Sequence, residues 1–312
     1  MSTATSRRVG VLVMAYGTPR SAEEIEPYYT DIRRGNPPTP EALADLVRRY
    51  DAIGGVSPLA HLTESQAAAI QSALDTAAPG RFRVAIGLKH AEPKIEQAAR
   101  QLVADGADAV VGVVLAPHFS AFSVGQYLGR AVDALSESGT PFAGIESWAT
   151  EPDLVDFLGA TVTDRRDALR AAGHDRIRVL FTAHSLPERI LQSGDPYPDE
   201  LASTAVAVAG RAGLADDDWE VAWQSAGRTP EPWLGPDILD AIDDLAGDVD
   251  AVLVCPCGFV ADHLEVLYDL DIEAAARADD AGLGFARTDS LNADRAVMNA
   301  LARQVLAATP AE

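Results

Sequence analysis

Val11-Leu-Val-Met-Ala-Tyr16-Gly-Thr-Pro19 lines up with Val179-Leu-Phe-Thr-Ala-His184-Ser-Leu-Pro187, 168 positions further along the chain. Each stretch is an apolar run that ends in alanine, a polar ring and then proline. A continuous apolar run of this length is typical of a strand buried on both faces of a parallel sheet. Ala109 to Pro117 and Ala251 to Pro256 repeat the apolar run and its proline. Buried strands resemble one another by chance, but the repeated proline favours a duplicated unit.

Strand-like runs alternate with helical patterns along the whole chain. The predicted strands are Val9 to Ala15, Arg83 to Leu88, Ala109 to Ala116, Phe142 to Ile145, Ile177 to Ala183, Trp219 to Trp223 and Ala251 to Cys255. The alternation predicts an α/β fold of two similar doubly wound parallel-sheet (Rossmann-like) lobes, with the active-site cleft between them. We expect an N-terminal lobe at 1–145, a C-terminal lobe at 146–292, and a C-terminal helix at 293–312 that can pack back on a lobe.

The composition excludes several classes of protein. With 25 Lys and Arg against 47 Asp and Glu in 312 residues, the formal net charge is −22. Broad nucleic-acid binding needs basic residues to displace counterions from phosphates, so it is not expected. No apolar run approaches the roughly 20 residues that cross a bilayer, so no integral membrane segment is expected. Cys255 and Cys257 cannot form a disulfide framework, which fits a reducing cytoplasm.

His184 is the first candidate for chemistry, because it follows directly on an apolar strand. Ligands of doubly wound sheets bind beyond the carboxyl ends of the strands, and imidazole suits a general base or a metal ligand. The alternative is a hydrogen-bonded core histidine, which is the commoner case for a lone histidine. The neighbouring Ser185 does not indicate a hydrolase, since no Gly-x-Ser-x-Gly motif is present. Glycine-rich nucleotide motifs are missing as well.

Glu265, Asp269 and Glu273 form a second candidate site on the predicted helix Val260 to Ala278. At about 100° per residue, positions i, i+4 and i+8 make one stripe of carboxylates. Like charges at this spacing are mildly unfavourable unless a cation compensates them. The stripe therefore indicates either a cation site or a solvated face of an acidic protein, and the pattern alone does not separate the two.

Basic residues are scarce but cluster near three tyrosines at Tyr28, Tyr29 and Tyr50. The pairs are Arg33-Arg34 and Arg48-Arg49. Arginine offers forked donors to carboxylates, and tyrosine adds flat surface and a hydroxyl, so an anionic aromatic ligand would fit. Ion pairs with acids on neighbouring helix turns are the alternative, slightly favoured by pattern alone.

Nine ordered motifs resemble those of the ferrochelatase family. They are Met14-Ala-Tyr16-Gly-Thr-Pro19, Tyr28-Tyr-Thr-Asp-Ile-Arg33-Arg-Gly35, Ile53-Gly-Gly-Val-Ser57-Pro-Leu59, Gly87-Leu-Lys-His90, Leu115-Ala-Pro-His118-Phe-Ser120, Ala183-His184-Ser-Leu-Pro187, Gly194-Asp-Pro-Tyr-Pro198, Trp233-Leu-Gly-Pro236 and Gly258-Phe-Val-Ala-Asp-His-Leu-Glu265. The resemblance is strong from Val9 to Glu273 and fades in the last 35 or so residues.

The resemblance implies two similar doubly wound lobes and a metal chelatase of the lyase class. The first motif is similar to that of the bacterial branch that uses coproporphyrin. We therefore expect insertion of ferrous iron into coproporphyrin III to give coprohaem in haem biosynthesis, with loss of two pyrrole protons. The alternatives are a chelatase for protoporphyrin IX or another tetrapyrrole, and a tetrapyrrole carrier without catalysis.

The resemblance also implies roles for particular residues. His184 and Glu265 match the catalytic pair that handles the metal, and Tyr16 matches an axial ligand of the product complex. Asp269 and Glu273 follow as possible outer metal sites, carrying cations or protons. The residues that match positions holding the tetrapyrrole and its propionates are Arg33, Arg49, Tyr50, Ser57 and Tyr127.

Substrates and partners follow from the same resemblance. Coproporphyrin III and ferrous iron are the expected substrates, with no organic cofactor. Some relatives carry an iron–sulfur cluster on four cysteines, and with two cysteines none is expected here. We expect a monomer, with transient contact to neighbouring haem-pathway enzymes left open.

Overall fold

The computed structural model describes residues 7–310, so residues 1–6 and 311–312 at the ends of the predicted first lobe and C-terminal helix lie outside it. The described chain divides into two compact units. The first contains residues 7–116, 121–147 and 292–310, and the second contains residues 117–120 and 148–291. The last segment thus belongs with the first unit, and a four-residue stretch after Ala116 belongs with the second.

The first unit is built on a parallel sheet of four strands. They are β1 (Val9–Ala15), β2 (Phe82–Leu88), β3 (Ala109–Val114) and β4 (Phe142–Ile145), in the spatial order β2-β1-β3-β4. Its first helices are α1 (Ile25–Ile32), α2 (Pro40–Ala52), α3 (Leu59–Ala77), α4 (Ile95–Ala104) and α5 (Val124–Leu135). Every residue of β1 and β3 is buried, as near-continuous apolar strands require when helices cover both faces.

The second unit repeats this plan. Its strands are β5 (Ile177–His184), β6 (Trp219–Gln224), β7 (Ala251–Cys255) and β8 (Gly284–Arg287), all parallel and in the order β6-β5-β7-β8. Its helices are α6 (Pro152–Ala171), α7 (Arg189–Gln192), α8 (Tyr197–Ala212), α9 (Ile238–Asp244), α10 (Leu264–Leu267) and α11 (Ala275–Asp280). The last helix of the chain, α12 (Arg295–Ala308), returns to the first unit and packs on α3.

The two sheets share one strand order, second-first-third-fourth in each unit. The echoing stretches Val11 to Pro19 and Val179 to Pro187 contain β1 and β5, the equivalent strands of the two sheets. The predicted α/β class with two similar doubly wound parallel sheets is therefore confirmed. In each sheet the chain changes direction between the first and third strands, which is where doubly wound sheets bind ligands.

Two sequence expectations differ from the structure. The single predicted helix from Val260 to Ala278 is wrong, because α10 and α11 are separated by a π-helical segment, Asp269–Ala274. Strand β8 was not predicted, since Gly284–Arg287 is a short edge strand without a continuous apolar run. Among the described residues, no helix is long and apolar enough to span a membrane.

Candidate active site

His184 is the last residue of β5, at the carboxyl end of the second sheet. Its Nδ1 lies within hydrogen-bond distance of the Ser185 backbone oxygen. A carbonyl oxygen only accepts, so Nδ1 is the donor of this hydrogen bond, and in the neutral form of the ring the lone pair lies on Nε2. That Nε2 lies 3.7 Å from Oε1 of Glu265, and both side chains are about one-third exposed, at 34% and 35%. The structure therefore brings together the two predicted catalytic residues.

Glu265 is placed by hydrogen bonds that run from the end of β5 through β6 to α10. Gln224 is fully buried; its Oε1 accepts from Thr182 Oγ1 at 2.7 Å, and its Nε2 donates to the Glu265 backbone oxygen at 3.0 Å. The turn after β7 passes close to β5, where a Cβ at Gly258 would lie 2.7 Å from the Ala183 Cα. Only glycine allows this approach, which brings the segment leading to Glu265 next to His184.

His263 is a further functional candidate that the sequence analysis missed. Its Nδ1 lies 2.9 Å from the Ala261 backbone oxygen and its Nε2 lies 3.5 Å from Glu265 Oε2. The Glu265 carboxylate thus has one imidazole beside each oxygen. The His-x-Glu spacing is visible in the sequence, but on the helix predicted from Val260 to Ala278 residues i and i+2 do not face each other, so the pattern does not mark His263.

Asp269 and Glu273 do not form the regular stripe that an α-helix would give. The Glu273 amide donates to the Tyr268 carbonyl at 3.0 Å, five residues back, so the wider π turn shifts their directions. Asp269 is 6% exposed, and its Oδ2 accepts a 2.5 Å hydrogen bond from Ser225 Oγ. Burial raises the pKa of Asp237, and the charges of Asp240 and Glu273 add to that effect. Glu273 therefore lies close enough to Asp237 to affect its pKa, and the charge of Arg277 acts in the opposite direction.

Within residues 7–310, no group of three or more His, Cys, Asp or Glu side chains is arranged to hold a metal ion. The pair of His184 and Glu265 offers two donor atoms, an imidazole nitrogen and a carboxylate oxygen, and such a set suits first-row divalent metals.

In the first unit, Tyr16 follows β1 and is 41% exposed. The His90 ring is tilted against it at 4.6 Å between centroids, and the edge of Tyr28 approaches at 6.5 Å. Asp31 fixes His90 through a 2.8 Å contact with Nδ1 and also accepts from Lys94 Nζ at 2.9 Å. Tyr16 is thus an exposed phenol whose ring is confined on two sides.

Lys89 lies between two of the predicted site residues. Its Nζ is 5.9 Å from the ring centre of Tyr16 and 5.1 Å from that of Tyr127. Burial, together with the charges of Arg130 and Arg34, lowers the pKa of Lys89 to about 8. No pattern in the sequence marks this lysine, because only the fold places it over both rings.

The other predicted substrate-binding residues fall into two groups. Arg33 is exposed, donates from Nε to the Asn36 carbonyl at 3.2 Å and lies over the Tyr29 ring; Arg49 is half-buried. Tyr50, Ser57 and Tyr127 are nearly buried, at 2%, 6% and 5% exposed. The Tyr50 hydroxyl lies 3.3 Å from Thr18 Oγ1 and Ser57 Oγ accepts from the Leu59 amide. Tyr127 lies near Tyr16, because Lys89 Nζ is close to both rings.

A model of the ferrochelatase family matches residues 8–309. The chain belongs to the ferrochelatase family. Curated relatives named coproporphyrin III ferrochelatase include those of Halalkalibacterium halodurans, 46% identical over 96% of both chains, and of Bacillus subtilis strain 168, 45% identical over 96% of this chain and 97% of the relative. The resemblance drawn from the nine motifs is confirmed at the level of the family.

Solved structures agree on the fold of this ferrochelatase-family chain. SirB from Bacillus subtilis with Fe3+ aligns with a TM-score of 0.58 at 12% identity, covering 97% of this chain and 96% of that one. CbiX, described as the terminal enzyme of sirohaem biosynthesis in denitrifying bacteria, aligns at 0.55 and 16% identity, covering 96% and 100%. At these identities the likeness supports the fold alone.

Proposed function

We propose that this ferrochelatase-family chain inserts ferrous iron into coproporphyrin III to give coprohaem. One observation carries the proposal: the His184 and Glu265 side chains stand 3.7 Å apart at the carboxyl end of the second sheet, in a chain 46% identical to a coproporphyrin III ferrochelatase. The reaction exchanges two pyrrole protons for one Fe2+ and needs no oxidant or reductant.

His184 is suited to take a pyrrole proton or to bind the incoming iron. Its Nδ1 donates to a fixed backbone carbonyl, so Nε2 is the basic nitrogen and points toward the Glu265 carboxylate. Partial exposure of both side chains lets them reach a bound ligand. Imidazole and carboxylate together replace water on the metal, while the pyrrole nitrogens supply the remaining ligands.

Glu265 is suited to the second proton. His263 lies 3.5 Å from the oxygen that does not face His184, so a proton accepted by the carboxylate has a second imidazole beside it. We include His263 in the proposed site on this ground. Asp269 and Glu273 are the proposed outer positions for cations or protons moving to or from Glu265, with Asp269 held by Ser225.

The first unit supplies the proposed porphyrin contacts. Tyr16 is the proposed axial ligand of iron in the product, since its phenol is the exposed polar ring at the end of β1. Arg33 and Arg49 are proposed to pair with propionates. The buried side chains of Tyr50, Ser57 and Tyr127 are proposed to bound the tetrapyrrole site. Neither an organic cofactor nor an iron–sulfur cluster takes part in the proposed reaction.

The proposal extends to the setting of the reaction. Both cysteines, Cys255 and Cys257, are buried and not in disulfides, which supports a reducing cytoplasmic location. A monomer is proposed, and contact with neighbouring enzymes of haem synthesis is left to experiment.

The test is anaerobic metallation with Fe2+, offering coproporphyrin III and protoporphyrin IX side by side and following the absorption spectra. We expect a clear preference for coproporphyrin III. His184→Ala should lower the rate by about 100-fold or more, because general acid–base catalysis contributes on that scale, while porphyrin binding measured by fluorescence quenching persists. The matched control is His61→Ala, which removes an exposed histidine of α3.

The alternatives give different results. A preference for protoporphyrin IX would assign the chain to another tetrapyrrole substrate. Porphyrin binding without metallation in the wild type would indicate a carrier. Unchanged turnover in His184→Ala would remove His184 from the mechanism.

A further inference from the structure

Glu265 lies in a short and irregular stretch of helical structure. Helix α10 has four residues, Leu264–Leu267, and the segment after it is π-helical. A helix this short is not stable by its own hydrogen bonds. The conformational entropy lost in forming its first turn outweighs the free energy gained from the hydrogen bond of that turn. The position of Glu265 relative to His184 must therefore be set by contacts on either side of α10.

Arg287 makes contacts on both sides. Its Nε donates to Asp271 Oδ1 at 2.6 Å and its Nη2 to Asp271 Oδ2 at 3.0 Å, which is a two-pronged ion pair. The same Nη2 lies 3.2 Å from Asp262 Oδ1. Asp262 comes three residues before Glu265 and Asp271 six residues after it, so one guanidinium joins the two ends of the segment that carries the carboxylate.

The guanidinium itself is fixed on the sheet. Arg287 is the last residue of β8 and is paired with Val254 of β7. Its Nη1 donates to the Thr288 carbonyl at 3.1 Å, and its side chain is only 15% exposed. Ser290 Oγ donates to the same oxygen, Asp262 Oδ1, at 2.9 Å and helps to fix that carboxylate. The segment is thereby tied to a strand of the same unit, not to a mobile surface side chain.

Resting on the proposed function, we propose that Arg287 is a positioning residue for metal insertion: by binding Asp262 and Asp271 at once, it sets where the Glu265 carboxylate stands against His184. Arginine suits this task because its planar fork can serve two carboxylates in fixed directions. Lysine has the charge but no fork, so it can satisfy one acid at a time.

The test compares Arg287→Met and Arg287→Lys with the wild type. A matched control is Arg176→Met, because Arg176 binds Asp250 through Nε and Nη2 at the opposite end of the same sheet, away from Glu265. We expect Arg287→Met to lower kcat for iron insertion by about tenfold or more, the scale of a small misplacement of a reacting group, with porphyrin affinity unchanged. Arg287→Lys should recover part of the rate, and Arg176→Met should leave it unchanged.

A second measurement does not depend on turnover. Hydrogen exchange of the amides from 262 to 271 should accelerate in Arg287→Met, while strands β5 and β7 keep their protection. A kcat equal to the wild type, or unchanged exchange between 262 and 271, overturns the positioning role and leaves the proposed function standing. A wild-type chain that fails to metallate any porphyrin overturns both the proposed function and the positioning role. The hydrogen-exchange data then still report whether Arg287 stabilises residues 262–271.

Discussion

His118 and His184 each follow an apolar run, and the sequence does not distinguish their roles. His118 is 2% exposed, and its Nε2 lies 2.8 Å from Thr204 Oγ1. The Thr204 hydroxyl donates to the Ala149 carbonyl at 2.7 Å, so it accepts from His118 and the histidine is neutral with its proton on Nε2. The core-histidine alternative thus describes His118, whereas His184 is one-third exposed and faces Glu265. Burial, which no local pattern reveals, decides the difference.

The burial of His118 predicts how the free energy of unfolding changes as the pH falls. Burial lowers the pKa of His118 to about 3, whereas an unfolded histidine titrates near 6.5. Between these values the unfolded chain takes up a proton that the native protein does not, so the free energy of unfolding falls as the pH falls through this window, by about 1.4 kcal/mol per unit at most. His118→Gln should be less stable than the wild type at pH 7, and the gap should narrow toward pH 4 in urea unfolding. The exposed His61→Gln serves as control. A gap that stays constant between pH 7 and pH 4 contradicts the linkage.

Secondary-structure elements were predicted well where they are buried and poorly where they are irregular. Strands β1 and β7 are buried along their whole length and have the predicted bounds, because an uninterrupted apolar run marks where each begins and ends. The edge strand β8 has only half-buried residues and no such run. The π segment was missed because a 100° period assumes hydrogen bonds four residues apart, and the tie between Asp269 and Ser225 is a tertiary contact. The residues near Glu265 were therefore predictable, but their directions were not.

Ser225 affects the free energy of unfolding in two ways, through its strained backbone and through its side-chain hydrogen bond, and mutations can separate the two. It holds a left-handed φ of +61° and donates to the buried Asp269 carboxylate. Ser225→Ala keeps the strained backbone and removes the donor, so it should cost about 1–3 kcal/mol. Ser225→Gly removes the same donor but relieves the backbone, so it should be more stable than the alanine variant by about 1 kcal/mol. Urea unfolding measures both. If alanine and glycine variants are equally stable, backbone strain at this position is refuted.

At the scale of the whole molecule, duplication explains where the candidate residues lie. Both sheets have the same strand order, and the first strand of each ends next to a candidate residue, Tyr16 after β1 and His184 in β5. The echo between the two stretches made this fold predictable from sequence. The residues at these matching positions differ in chemistry, a phenol in one unit and an imidazole in the other. The shared strand order thus places a phenol oxygen in one unit and an imidazole nitrogen in the other, and the repeat in apolar residues alone does not reveal this difference.

The C-terminal helix α12 completes the first unit from the far end of the chain. Its fully buried residues are Val297, Met298, Ala300, Leu301 and Val305, and the helix contacts α3, β3 and β4. Leu301→Ala should lower the free energy of unfolding by about 2–5 kcal/mol, since a cavity remains in a packed core. The exposed Arg295→Ala, on the same helix, should change it by less than about 0.5 kcal/mol. Thermal unfolding measures the loss, and hydrogen exchange should accelerate in β3 and β4, the strands that α12 contacts. Equal stability of the two variants would mean that α12 contributes little to the core, contrary to the burial of its apolar face.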